Sequence, residues 1–536
     1  MKRLNAIFFH FALGVFGNLY AAEAPNILLI LSDDLGYSDL GSYGGEIDTP
    51  NLDRLAADGL RFSQFYNTGR CWPTRASLMT GLYPHQANHG MIFGQTAPRG
   101  YQGTRKTDGL MISEILKPAG YRTYQLGKWH LGKNRPKLND TWPLARGFDH
   151  SYLAVTLQNY HNPALLYDDT QAIKRPGGPA PMGDGSYYLT SALTDRTIAY
   201  LKEHATDHPD KPFFIYLAYT APHFPLHALP EDIDRFRGRY RKGWDTVRQE
   251  RHERMEKLGL VKTGLSPRDP DARPWESLTS AEKDSWDTRM AIYAAMIYRM
   301  DIGVGRIVEQ LKKMDAFENT LILFLSDNGS SAEYIVRGDR HDPNAPPGSG
   351  GSYLCLEVGW SNASNTPLRM HKSWVHEGGI ATPLIAHWPD GIAARGAITH
   401  QTGHVIDILP TIADLADALI PEEYEGHALP RSPGKSLAPV FQGRQRAAPD
   451  FLFWEHIGNK AIRKGDWKLV KEHNGPWELY NLDTDRSEVY DLSGSHPGIV
   501  DALAGQWEGY AEKTGVVEWD SFPQSKIEPG KNYRRK

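Results

Sequence analysis

Cys71 opens the segment Cys71-Trp72-Pro73-Thr74-Arg75-Ala76-Ser77-Leu78-Met79-Thr80-Gly81, whose residue types suit an anion site. Pro73 fits the first turn of a helix, where its missing N–H costs nothing. Gly81 fits the end of that helix. The pattern therefore predicts a helix with Cys71 at its start. Free backbone N–H groups and the positive end of the helix dipole would face whatever Cys71 holds. Arg75 lies one turn further on and can face the same point. Two other readings stay open on these residues alone: a buried or disulfide-bonded cysteine before an ordinary helix, and a thiolate nucleophile with a histidine partner.

Two further clusters offer oxygen donors. Asp33-Asp34 follows the apolar run at 26–31, and Asp327-Asn328-Gly329 follows the run at 321–325. Singly, each reads as a turn. Together they offer carboxylates from Asp33, Asp34 and Asp327 and an amide from Asn328. Hard oxygen donors without histidine or thiolate suit calcium or magnesium rather than zinc. Three carboxylates around one divalent cation leave a charge of about −1, so nearby cations are needed before the cluster can hold an anion.

The elements that must carry these residues are short apolar runs that end in polar clusters. They lie at 26–31, 121–126, 213–218 and 321–325. Continuous apolar runs of this length suit strands buried on both faces of a parallel sheet. Helical patterns at 51–59, 191–204 and 293–314 lie between them. The alternation predicts an α/β fold with a mostly parallel central sheet flanked by helices. Ligands of such sheets bind beyond the carboxyl ends of the strands, where all four polar clusters fall. The charged stretch 236–290 reads as a helical excursion over the surface. The stretch 338–365, rich in Gly, Pro, Ser and Asn, reads as a long functional loop. After about residue 440 the composition shifts. Strands at 451–456, 461–471 and 477–481, with a turn at Lys464-Gly465-Asp466, predict a smaller antiparallel sheet. The expected organisation is a leader at 1–24, a catalytic domain at 25–440 and a small α+β subdomain at 441–536.

Composition narrows the partners. Lys plus Arg number 60 and Asp plus Glu 64, a net charge of −4 that points to no nucleic-acid partner. Met1-Lys2-Arg3, an apolar run at 6–20 and small residues at Ala21, Ala22 and Ala24 read as a secretion signal, with export to the periplasm or outside the cell and no stable membrane anchor. The two cysteines, Cys71 and Cys355, permit at most one bridge and make no disulfide framework.

At this point the chain resembles a known family. The Cys71 segment matches the C-x-P-x-R core, followed by S-L-x-T-G, of the type I sulfatases, formylglycine-dependent members of the alkaline phosphatase superfamily. Gly127-Lys128-Trp129-His130-Leu131-Gly132 matches a second motif of that family. Thr366-Pro367-Leu368-Arg369-Met370-His371-Lys372 followed by His376-Glu377-Gly378-Gly379 matches its lysine-bearing segment. Met370-His371 departs from the smaller residues usual there, a change that would shape the substrate pocket. Ala221-Pro222-His223 resembles the histidine loop. The resemblance runs from Pro25 to about Leu492, and the segment 221–228 with Gly238-Arg239-Tyr240 and Gly243-Trp244-Asp245 looks most like bacterial arylsulfatases. His85, His227 and His376 lie near motifs without an assigned role.

The resemblance implies that a maturing enzyme oxidises Cys71 to formylglycine (3-oxoalanine), and that Asp33, Asp34, Asp327 and Asn328 with residue 71 hold one calcium ion. It implies that the aldehyde hydrate, a geminal diol, attacks the sulfur of an aryl or carbohydrate sulfate ester. Calcium and Arg75 would lower the pKa of one hydroxyl and Asp327 would accept its proton. Lys128 and Lys372 would bind the sulfuryl oxygens, His223 with Lys372 would protonate the leaving oxygen, and His130 would deprotonate the second hydroxyl so that sulfate is expelled. The rival readings are a phosphatase or phosphodiesterase of the same superfamily, which typically uses Ser or Thr with two zinc ions, and a catalytically silent protein that binds sulfated glycans.

Overall fold

The computed structural model describes residues 24–94, 96–132, 139–154, 159–173, 187–335 and 340–523. The signal-like run at 6–20 lies outside them. No helix among the described residues is long and apolar enough to cross a membrane.

The large sheet is built from β1 (Asn26–Ser32), β2 (Leu60–Tyr66), β3 (Arg122–Lys128), β4 (His150–Ala154), β5 (Leu166–Asp168), β6 (Gln171–Ile173), β7 (Phe213–Ala218), β8 (Thr320–Ser326), β9 (Ala381–His387), β10 (Ala397–Thr399) and β11 (Gly403–His404). Their order is β10-β2-β9-β8-β1-β7-β3-β4-β5-β6, with β11 also on β2. The centre, β8-β1-β7-β3-β4, is wholly parallel. β9 runs antiparallel to both β8 and β2. The four apolar runs singled out in the sequence are thus four adjacent strands, β8, β1, β7 and β3.

Their lack of polar alternation has a simple cause. Successive side chains of a strand point to opposite faces, and here both faces are covered. Leu28 and Ile30 of β1, Ile322 and Phe324 of β8, and Ile215 and Leu217 of β7 pack into one core with the helices Leu189–Asp207 and Ser280–Lys313. Ile27, Leu29 and Leu31, Leu321, Leu323 and Leu325, and Phe214 and Tyr216 pack into the other, with the helices Cys71–Thr80 and Ile408–Leu415. Gly127 in β3 has φ +88°, and a Cβ there would meet the Ala218 carbonyl at 2.0 Å, so the strand bearing Lys128 needs glycine at that position.

Between the two sheets in sequence lies a small hairpin, β12 (Glu423–Tyr424) with β13 (His427–Ala428). The second sheet follows as β14 (Leu452–His456), β15 (Asn459–Lys464), β16 (Trp467–Lys471) and β17 (Glu478–Asn481), antiparallel throughout and packed by the helix Pro497–Thr514. The turn at Lys464-Gly465-Asp466 is where the sequence places it.

Three expectations need correction. The 293–314 pattern belongs to a helix spanning Ser280–Lys313, started by a capping box of Thr279 and Glu282. Its first turns are polar on the surface, so the apolar period starts late. The 236–290 stretch is no surface excursion. Within the helix Gly243–Leu258, Trp244 packs edge-on against Trp275, Trp286 and Trp360. Arg251 is wholly buried between Asp39, at 2.7 Å, and Glu46, at 2.7 Å. The supposed loop at 338–365 contains the helix Glu357–Ser364, although 338 and 339 fall outside the described residues.

The second sheet is fastened to the first by buried charge. Lys468 Nζ lies 2.9 Å from Glu377 and 2.8 Å from Glu488, all three without exposed surface. Arg486 Nε reaches Glu377 at 3.0 Å, and the Tyr66 hydroxyl donates to the same carboxylate. Removing one member of such a cluster leaves an uncompensated charge, so Lys468→Met is expected to cost about 3–5 kcal/mol in urea unfolding. Arg431→Ala, at an exposed ion pair with Glu422, should cost less than about 1 kcal/mol.

Candidate active site

Each polar cluster follows the carboxyl end of its strand, and the strands are neighbours. The helix Cys71–Thr80 starts beside them and ends at Gly81, left-handed at φ +68°, whose N–H bonds the Ser77 carbonyl. Cys71 is buried at its first position. Its sulfur and single carboxylate oxygens of Asp33 and Asp327 lie within 4.8 Å of one another.

Arg75 is the hub. Its Nε and one terminal nitrogen donate to Asp327 Oδ2 at 3.0 and 2.7 Å, and the other donates to the Lys128 carbonyl at 2.7 Å. Asp33 lies 3.5 Å away, and both side chains are wholly buried. Lys128 Nζ contacts Asp33 Oδ2 at 2.5 Å. Lys372 Nζ contacts Asp34 at 2.8 Å and His223 Nε2 at 3.2 Å. Asn328 donates to Asp34 Oδ1 at 2.6 Å. Three carboxylates therefore face three cations, and the site is balanced before any metal enters. The sequence reasoning asked for nearby cations, and the fold supplies them in Arg75, Lys128 and Lys372. With the cations in place a divalent ion makes the site net positive, which suits an anionic ester.

The donor set fits a hard divalent cation. Asp33 Oδ1 and Asn328 Oδ1 are buried and have no hydrogen-bond partner among the described residues. Orphaned buried acceptors of this kind call for an ion or water. Asp33, Asp34, Asp327 and Asn328 all present oxygen. His223 also lies close to Asp33 and Asp34, but its Nε2 is already engaged by Lys372.

Burial and mutual charge set the protonation states. Burial alone would raise Asp33, but Lys128, His223, Arg75 and Lys372 hold it well below the usual carboxylate range. Asp327 is pushed up to about 6 by burial and then by the Asp33 charge, against Arg75. Lys128 and Lys372 stay protonated, since Asp33 raises the first and Asp34 and Glu333 raise the second against the cost of burial. His223 is lowered to about 4 by burial, with Lys372 adding to the effect against the pull of Asp34. His130 is lowered by burial, Lys128 and Arg75. Both rings are neutral at pH 7. The Cys71 thiol is raised by burial, and Asp327 and Asp33 oppose the pull of Lys128 and Lys372. Unmodified Cys71 is therefore a protonated, poor nucleophile, which argues against the thiolate reading.

Cys71, Arg75, Asp33, Asp34, Asp327, Asn328, Lys128, His223 and Lys372 are brought together. His130 sits at the margin, with φ +56° and its ring 5.6 Å from that of Trp72. Other expectations change. Cys71 and Cys355 are both free thiols, with Cys355 among Phe224, Tyr353 and Ile335. His371 does not shape a pocket: Ser361 and Asp269 hold its two nitrogens at 2.8 and 3.0 Å. His227 is structural, with Nδ1 accepting from the Tyr160 N–H and Nε2 on the Ser352 carbonyl. His376 precedes a short helix, 3.6 Å from Glu478, and His85 lies 2.9 Å from Glu455. Sequence reasoning missed Glu333, whose carboxylate lies 3.1 Å from Lys372 and 2.9 Å from Arg70. An acidic residue in a loop carries no signal of its own. Only the fold puts it against the lysine.

The arrangement, a helix start beside a buried carboxylate–lysine cluster at the ends of parallel strands, sits on the alkaline phosphatase-like fold. The comparisons with known proteins make that specific. The sulfatase family model matches residues 25–418, and that of the N-sulphoglucosamine sulphohydrolase C-terminal region matches 369–504. An arylsulfatase of Klebsiella aerogenes is 35% identical over 75% of this chain and 89% of its own length. An uncharacterized sulfatase of Schizosaccharomyces pombe is 32% identical over 92% and 95%. Among solved structures, Ps i-CgsB in complex with k-i-k-neocarrahexaose superposes with a TM-score of 0.67 at 28% identity, covering 94% of this chain and 96% of that one. The chain belongs to the sulfatase family and is a sulfuric ester hydrolase.

Arg75→Lys tests the hub. It keeps the charge but loses the planar fork that spans Asp327 and the Lys128 carbonyl. We expect kcat/KM on an aryl sulfate to fall by about a hundredfold or more, with an unchanged circular dichroism spectrum.

Proposed function

We propose that this sulfatase hydrolyses aryl or carbohydrate sulfate monoesters to an alcohol and inorganic sulfate, with a formylglycine made from Cys71 and one calcium ion. The observation that carries this reading is the buried Cys71, raised as a thiol yet set among Arg75, Lys128, Lys372 and the carboxylates of Asp33 and Asp327. Relatives named as arylsulfatase and as N-acetylgalactosamine-6-sulfatase support both substrate classes. Export, which the N-terminal charge and apolar run suggest, would suit an enzyme acting on external sulfate esters.

Formylglycine at residue 71 would supply, as its hydrate, a geminal diol for the chemistry at sulfur, and calcium would supply the charge that acidifies one of its hydroxyls and orients the ester. Asp33, Asp34, Asp327 and Asn328 would hold the ion. The side chains of the protein do the rest. Arg75 anchors Asp327, whose carboxylate lies beside residue 71 and is placed to accept the proton of the attacking hydroxyl. Lys128 and Lys372 enter the reaction protonated and draw the sulfuryl oxygens into line. His223 points Nδ1 at the Phe224 carbonyl, 2.5 Å away, so Nδ1 carries the hydrogen and Nε2 accepts from Lys372. The proton for the leaving oxygen thus starts on Lys372 and is passed through or alongside His223. Neutral His130 can take the proton whose loss frees sulfate. Glu333, 3.1 Å from Lys372, helps keep that lysine charged.

Two measurements test the reading. Mass spectrometry of the peptide containing residue 71, after co-expression with a maturing enzyme, should show the thiol replaced by an aldehyde. An unmodified thiol in fully active enzyme would refute the mechanism. Chelation should lower both the aryl sulfatase rate and the melting midpoint, and calcium should restore both. The stabilisation should approach about 2.7 kcal/mol at a hundredfold excess of calcium over Kd. Asp33→Asn should abolish the calcium-dependent part of the midpoint shift. A midpoint insensitive to chelation in the parent would count against the ion.

A further inference from the structure

The second sheet does more than brace the first. The hairpin joining β14 to β15 reaches the site with its tip, Glu455-His456-Ile457-Gly458-Asn459. Ile457 and Gly458 both lie in the left-handed region, at φ +48° and +85°, as a tight two-residue turn demands. Asn459 Nδ2 donates to the Ser373 carbonyl at 3.1 Å, one residue from Lys372. The Gly458 N–H donates to Glu455 Oε1 at 2.8 Å, and the other oxygen of that carboxylate lies 2.9 Å from His85 Nε2. The tip is therefore pinned to the lysine-bearing segment.

His456, at the start of the turn, is 1% exposed, and neither of its ring nitrogens has a hydrogen-bond partner among the described residues. Its ring lies 5.6 Å from that of Trp72, the residue after Cys71, and the same indole lies 5.6 Å from His130. Arg70 covers the indole at 4.8 Å and pairs with Glu333, which in turn contacts Lys372. An imidazole with two unmet nitrogens, so close to the residues flanking the reaction centre, is rare in a folded protein unless something else supplies the partners.

We propose that His456 is a specificity-determining residue for the alcohol half of the ester, hydrogen-bonding a hydroxyl of a polyhydroxylated leaving group such as a sugar. The assignment rests on the reading that the ester is cleaved at residue 71. A neutral imidazole offers one N–H donor and one lone pair, the complement of a hydroxyl, which both accepts and donates. A second sulfate would need an uncompensated cation there, and Arg70 is already paired with Glu333. Burial, with Arg70 and His85 nearby, keeps this ring neutral. The aryl group of a simple aryl sulfate has nothing to offer it.

The test compares kcat/KM for 4-nitrophenyl sulfate with that for a panel of mono- and disaccharides carrying one O-sulfate, using the matured full-length enzyme. His456→Phe keeps a planar ring and removes both hydrogen-bonding atoms. It should fold with a melting midpoint no lower than the parent's, because it removes an unpaired buried polar group. The ratio of saccharide to aryl kcat/KM should fall at least tenfold, mainly through KM, and His456→Asn should recover part of it. A ratio within twofold of the parent's on every saccharide sulfate the parent hydrolyses would overturn the assignment. So would a parent enzyme that turns over the aryl ester but none of the saccharides. Failure of the parent on both classes would instead sink the chemistry at residue 71, and the assignment with it.

Discussion

Three carboxylates share a space closed to solvent, and the rest of the site is arranged around that fact. At an effective dielectric of about 20, two like charges 4 Å apart repel by about 4 kcal/mol. Asp33, Asp34 and Asp327 could not remain ionised together without matched cations. Arg75 answers two of them at once, with bonds to Asp327 and a close approach to Asp33. Lys128 takes the other side of Asp33 and Lys372 takes Asp34. Each cation arrives on a different element, so the balance exists only when a helix start, a strand end and a distant loop are all in place.

The sheet meets this requirement through adjacency. β8, β1, β7 and β3 run side by side in parallel, so residues 33, 128, 223 and 327, remote in the chain, emerge within one crevice. The antiparallel β9 then returns the chain across the sheet after the Lys372 loop. Beyond it, the buried cluster of Glu377, Lys468, Arg486 and Glu488 ties the second sheet to that loop. A buried ion cluster is weak testimony for stability, because its desolvation is costly. This one joins β16 and the segment after β17 to the stretch that follows Lys372.

The same low-dielectric enclosure explains the division of labour among ionisable groups. It keeps lysines charged where carboxylates face them and keeps histidines neutral where cations do. It also silences a thiol at residue 71, which is consistent with a site built around another functional group at that position. One environment thus sets acids, bases and nucleophile apart without a separate device for each.

Much of this was legible in the chain. Proline in the first turn and glycine at the end placed the helix at Cys71, and apolar runs without alternation placed the doubly covered strands, because both signals are local and written in adjacent residues. The motif at Cys71, the paired acids and the two lysine segments could be named for the same reason. The role of the 236–290 stretch was not legible, since charged Arg251 looks like surface until Asp39 and Glu46 close over it. Glu333 was missed and His371 was misjudged because nothing in their neighbours along the chain distinguishes a side chain that meets the site from one held elsewhere. The sequence by itself determined the chemistry available, which residue types and which helix start. Only the tertiary structure decided which charges meet, because burial and Coulomb interaction depend on distance in space, and the partners lie up to 338 residues apart.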